Sequence, residues 1–154
     1  MRRLTLSRTP QLSQLYDQGS FFGKFQSDIR ACRQELLIES AFITHKRVRA
    51  LLPILATLVS RGVNVTINTR YPDEHDGFMR EQALLGVTEL QAVGITVLYT
   101  AGLHRKVALL DRTIVWEGSL NILSQSDSCE LMRRTNSAGE AERLLRYVGL
   151  KSFL

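Results

Sequence analysis

The chain reads as an α/β fold, a mixed β-sheet flanked by helices in an αβα sandwich. Three observations predict it. Strand-like and helix-like segments alternate between about residues 21 and 100, which implies parallel pairing through helical crossovers. Three further strand-like segments then follow one another without a helix between them, which implies antiparallel pairing. A length of 154 residues suits a single domain with a substantial core.

Each element has its own signal. Phe22, Phe25, Ile29 and Cys32 recur at helical spacing after Ser20, a reasonable N-cap, and predict a helix over 21–34. E-L-L-I-E-S-A-F-I at 35–43 is apolar and branched enough for a buried strand. Val48, Leu51, Leu52, Leu55, Leu58 and Val59 form the next helical stripe, and Pro53 inside it predicts a kink or a restart. Gly62 ends that helix, and V-N-V-T-I-N-T at 63–69 alternates as a strand. Tyr71 to Asp76 is loop. Met79, Ala83, Val87 and Leu90 line a third helix, closed by Gly94 at C-prime. Strands follow at 95–100, across His104 and Lys106, at 113–116 and at 129–134. Ser137 and Glu140 make a capping box for a last helix with Leu144, Leu145 and Val148 inward. Residues 1–20 read as an N-terminal extension and 21–154 as the domain.

Composition narrows the class. No stretch resembles a transmembrane span, and Met1 to Pro10 has positive charge without the apolar run of a signal peptide, so a cytoplasmic location is expected. Cys32 and Cys129 are too few and too far apart for a disulfide framework or a metal site, and read as buried free thiols. The net charge of +5, carried by sixteen Arg and four Lys against 15 acidic residues, favours a polyanionic partner.

The most informative run is H-R-K-V-A-L-L-D-R-T-I-V-W-E-G-S-L-N, from His104 to Asn121. It has the form H-x-K-x4-D-x6-G-S-x-N, whose six fixed types match by chance on the order of 10^-8 per starting position. Residues two apart on a strand share a face. His104 and Lys106 are therefore expected to project together, with Arg105 turned away, and Ser119 with Asn121 to repeat that spacing on the next strand. An imidazole, an ammonium, a hydroxyl and a carboxamide would then converge on a volume suited to a tetrahedral phosphate. Asp111, followed by Arg112 between two apolar runs, is assigned a turn role first and a place in the site second.

This run resembles the signature of the phospholipase D superfamily, and the resemblance extends over nearly the whole chain from about Phe21. It implies one half-unit of that fold and cleavage of a phosphodiester through a covalent phosphohistidine. By the resemblance His104 is the nucleophile; Lys106, Ser119 and Asn121 hold the phosphate oxygens; Glu130 matches the downstream glutamate that orients the histidine. Cys129 stands where the family often has Asn or Ser. Complete members carry the motif twice, whereas it occurs once here, so the resemblance implies a homodimer sharing one site, with no metal and no cofactor. Small single-motif members resemble nucleases, alone or joined to helicase or restriction modules, and DNA is the favoured substrate. A phospholipid phosphodiesterase would be expected to show a membrane-facing apolar patch or anchor. A degenerate, non-catalytic DNA-binding module would be expected to have lost the motif residues, and a module excised from a larger helicase or restriction protein to be only weakly active in isolation.

Other polar residues have plainer readings. His45 in I-T-H-K belongs to a helix start. Asp73, Glu74, His75 and Asp76 crowd a loop without the spacing of a metal site and are read as solvated. Trp116 is read as core.

Overall fold

The computed structural model describes residues 12–124 and 127–150; the Met1 to Pro10 stretch read above as lacking a signal peptide lies outside them. Seven strands, β1 (Ser13–Asp17), β2 (Glu35–Glu39), β3 (Asn64–Thr69), β4 (Thr96–Tyr99), β5 (Val107–Leu110), β6 (Ile114–Gly118) and β7 (Leu131–Asn136), form one sheet in the order β1-β7-β6-β5-β2-β3-β4. β2, β3 and β4 run parallel, while β2–β5, β5–β6, β6–β7 and β7–β1 pair antiparallel. Helices α1 (Phe21–Ala31), α2 (His45–Ser60) and α3 (Gly77–Ala92) cover one face through a core that includes Phe25, Leu36, Ile38, Leu55, Ile67 and Trp116. The other face carries Leu37, Leu109 and Val115 against Ala141, Leu145 and Val148 of α4 (Ala138–Val148). The mixed α/β sandwich is as expected.

Several local expectations need correction. Ser13–Asp17 lies within the stretch read as an extension, yet β1 completes the sheet by pairing with β7 from Ser13↔Thr135 to Asp17↔Leu131. Ser20 does not cap α1 with its side chain; its hydroxyl instead bonds Asp17 Oδ1 at 2.8 Å. α1 stops at Ala31, because Cys32 turns to extended geometry (φ −64°, ψ 137°). β2 ends at Glu39 and not at 43. Pro53 causes no restart: α2 runs through it, and the proline sits on the exposed side, where water can satisfy the carbonyl that it leaves unpaired. Ser137 does cap α4, its oxygen accepting from the Glu140 N–H, but the Glu140 carboxylate bonds Arg143, and Leu144 is only half-buried. Trp116 is core, fully buried and donating its indole N–H to the Asp28 carboxylate at 2.9 Å. Of the two thiols, Cys32 is buried and Cys129 exposed.

Asp111 explains how β5 returns as β6. It and Arg112 occupy the centre of the Leu110–Thr113 turn, both with positive φ (50° and 52°), a conformation that costs a non-glycine residue roughly 1–2 kcal/mol. The Asp111 carboxylate offsets this by accepting backbone N–H bonds from Arg33, Gln34 and Glu35 (2.8–3.1 Å). Arg112 adds a side-on pairing with Glu35. Burial alone would raise the Asp111 pKa, but the N–H groups of Gln34, Glu35 and Arg33 and the Cys32 thiol outweigh it and hold the carboxyl below its ordinary range.

A carboxyl depressed in the folded state stabilises the fold fully above its unfolded pKa and loses that contribution as pH falls toward its folded pKa. Stability is therefore expected to decline as pH drops through about 4, and Asp111→Asn to flatten that part of the profile. Asp111→Ala is expected to cost about 2 kcal/mol, read as a lower urea midpoint at unchanged m-value.

Candidate active site

The site lies where β2 and β3 end and β5 begins, the end at which open α/β sheets bind ligands. β5 and β6 pair from Val107↔Glu117 to Leu110↔Ile114. That register sets the residues just before β5 beside those just after β6. His104, Lys106, Ser119, Asn121 and Glu130 consequently line one open cleft of about 440 Å³, together with Arg105 and Gly118. Contrary to its second expected role, Asp111 is at the opposite end of β5, roughly 17 Å along the strand from Lys106, and belongs to the turn and not to the cleft.

Neither pair of motif residues sits within a strand, contrary to expectation. Strand geometry begins at Val107, and residues 103–106 are irregular. Arg105 is not directed away but also borders the cleft. The segment is fixed by contacts instead. Arg70 donates from Nε and Nη2 to the Leu103 carbonyl (3.1 and 2.8 Å), and Glu74 accepts from the Gly102 N–H at 2.8 Å. Arg105 grips the fully buried Glu39 carboxylate at 2.7 and 2.9 Å. His104 is thus held by its neighbours in the chain on both sides, while its own ring is exposed to the cleft.

Lys106 is buried, and its ammonium donates to the His104 carbonyl at 2.5 Å. Burial first, then the nearby Arg70 charge, push it below the ordinary lysine range, against the pull of Glu130.

Ser119 and Glu130 are delivered by β6 and β7. Ser119 N–H donates to the Leu131 carbonyl at 3.0 Å, and Leu131 N–H donates back to the Ser119 hydroxyl at 3.0 Å. Gly118 makes that approach possible: a Cβ there would collide with the Leu131 carbonyl oxygen and come within 2.9 Å of Met132 Cα. The Glu130 pKa is lowered by the Ser119 hydroxyl first, then by Ser128, with a smaller contribution from Lys106. Its carboxylate accepts from the Ser128 hydroxyl at 2.8 Å, whereas the resemblance assigns it to His104. Asn121 is half-buried, and its Oδ1 meets no donor among the described residues. A half-turn of the amide would offer NH2 to an anion instead.

The remaining candidates fall elsewhere. His45 opens α2 and contacts Glu89 at 3.1 Å. His75 is buried and not solvated, its ring 5.0 Å from that of Phe42, and burial foremost lowers its pKa. Asp73, Glu74 and Asp76 are exposed, and among the described residues no group of His, Cys, Asp and Glu side chains converges as metal ligands would. Sequence reasoning missed Glu39, Asn68, Arg70 and the part played by Arg105. A charged residue inside the apolar run E-L-L-I-E was the available signal.

No curated protein matches the chain. Among solved structures it is similar to Nuc, a phospholipase D family member from Salmonella typhimurium (20% identity, 88% of this chain and 90% of that one, TM-score 0.71). It is also similar to NucT from Helicobacter pylori (21% identity, 88% and 91%, TM-score 0.69). Polyphosphate kinase from Porphyromonas gingivalis contains a similar unit in 27% of its length (14% identity, 93% of this chain, TM-score 0.68). These likenesses concern the fold, which hosts more than one chemistry. The family described as cardiolipin synthase, PLD-like domain, matches residues 25–148. With that match covering most of the sequence and the H-x-K and G-S-x-N residues meeting in one cleft, the chain belongs to the phospholipase D superfamily.

Proposed function

We propose that the protein is a metal-independent nuclease, with DNA as the favoured substrate, whose active site is completed by a second copy of the chain. The carrying observation is that the cleft gathers His104, Lys106, Ser119, Asn121 and Glu130 but a single imidazole. Cleavage through a phosphohistidine needs two. A neutral imidazole attacks phosphorus and forms the N–P bond as the P–O bond to the leaving group breaks, while a protonated imidazole gives its proton to that oxygen. The second group then takes a proton from the water that hydrolyses the N–P bond. One ring cannot be both neutral nucleophile and charged acid in one step, so His104 of a second copy supplies the other across a two-fold axis. Lys106, Ser119 and Asn121 stabilise the charge that builds on the equatorial oxygens. The net charge of +5 supports a polyanionic substrate. Among the described residues no helix is long and apolar enough to cross a membrane, and DNA is preferred to lipid as substrate.

Cleavage of DNA is expected to persist in excess EDTA and to fall at least about a thousandfold in His104→Ala; dependence on Mg2+ would count against the mechanism. Excess His104→Ala subunits are expected to suppress the wild-type protein by forming mixed pairs. Unchanged activity in that mixture, with monomers at every concentration in sedimentation, would refute the shared site.

A further inference from the structure

Arg105 stands between His104 and Lys106, and nothing in the mechanism above uses it. Its guanidinium meets Glu39 side-on, Nε to Oε2 at 2.7 Å and Nη2 to Oε1 at 2.9 Å. This grip uses two of five N–H donors and leaves the outer edge, Nη1 and one hydrogen of Nη2, directed away from the carboxylate. The two partners differ sharply in exposure: the Glu39 side chain is 0% exposed and that of Arg105 46%. Glu39 is in turn fixed by Asn68, whose amide donates to Oε1 at 2.8 Å and whose Oδ1 accepts from the Thr100 hydroxyl at 3.0 Å. A buried carboxylate held from two directions thus orients an arginine that emerges into the same cleft as His104.

Purely structural neutralisation of Glu39 would be served by a buried partner. Here the charged head reaches the cleft wall, with a planar donor edge of the kind that matches phosphate oxygens in pairs. The scissile phosphate already has Lys106, Ser119 and Asn121. We propose that Arg105 binds the phosphate next to the scissile one, so that the cleft engages two consecutive phosphates of a DNA strand and favours a polynucleotide over an isolated diester. The inference rests on the phosphodiesterase reading of the cleft.

Arg105→Gln alone would strand a buried carboxylate, so the informative variant is the pair Glu39→Gln with Arg105→Gln, its fold checked by circular dichroism. Binding is measured in the His104→Ala background to oligothymidylate and to a thymidine dinucleotide with a single phosphodiester. The paired variant is expected to weaken oligothymidylate binding about tenfold, as for loss of one charge-assisted contact, and to change dinucleotide binding less than twofold. The salt dependence of log K for the oligonucleotide is expected to fall by about 0.7. Equal weakening for both ligands, no weakening for either, or no oligothymidylate binding to the parent protein would overturn the proposal. Misfolding of the paired variant moves the same comparison to Arg105→Lys, which keeps the charge but loses the fork; there, unchanged oligothymidylate binding overturns it and a selective loss supports it. Normal binding without any cleavage by the wild-type protein would instead count against the phosphodiesterase reading alone.

Discussion

Val107 pairs with Glu117 and Leu110 with Ile114, and the site depends on that register. Side chains alternate across a strand, so a slip of β6 by one residue against β5 would turn Val115 from α4 toward the opposite face and carry Gly118 and Ser119 out of step with Lys106. The return of the chain at Asp111 sets this pairing. That turn is in turn tied to the start of β2 by three backbone N–H bonds. The end of the sheet remote from the cleft therefore controls the alignment of the residues that line it.

Two buried acids serve the two faces of the sheet in similar ways. Asp28 on α1 accepts from Trp116 and from both Nε and Nη2 of Arg134, and pairs with Lys24 at 3.2 Å, joining α1 to β6 and β7. Glu39 at the end of β2 joins Asn68 of β3 to Arg105 ahead of β5. Neither network need contribute much net stability, because desolvation consumes most of the attraction. Loss of one partner nevertheless costs about 3–5 kcal/mol. Such pairs define position more than they add stability, and each ties a strand near the motif to another segment.

Much of this was legible in the residues. Helical stripes, the β3 alternation, Gly94 and the Ser137 cap act within a few positions, and the motif residues share a cleft because β5 and β6 are consecutive. What could not be read acts over long separations. S-Q-L-Y-D has no strand pattern of its own and becomes β1 only through β7, more than a hundred residues away. Glu39 and Arg105 are 66 residues apart. His75 resembled a solvated residue because its burial comes from Phe42, on a different segment. Strand periodicity also failed ahead of β5, where contacts to Arg70, Glu74 and Glu39 hold residues 102–105 and Arg105 borders the cleft.

The contrast between the two thiols has a practical side. Burial foremost, with the neighbouring Asp111 charge, pushes the Cys32 pKa up to about 12, so almost none of it is thiolate at neutral pH. Cys129 is exposed and immediately precedes Glu130. A maleimide fluorophore would therefore settle on one sulphur per chain at the rim of the cleft. Energy transfer between two such labels would report whether two copies of the chain approach one another, without any engineered cysteine.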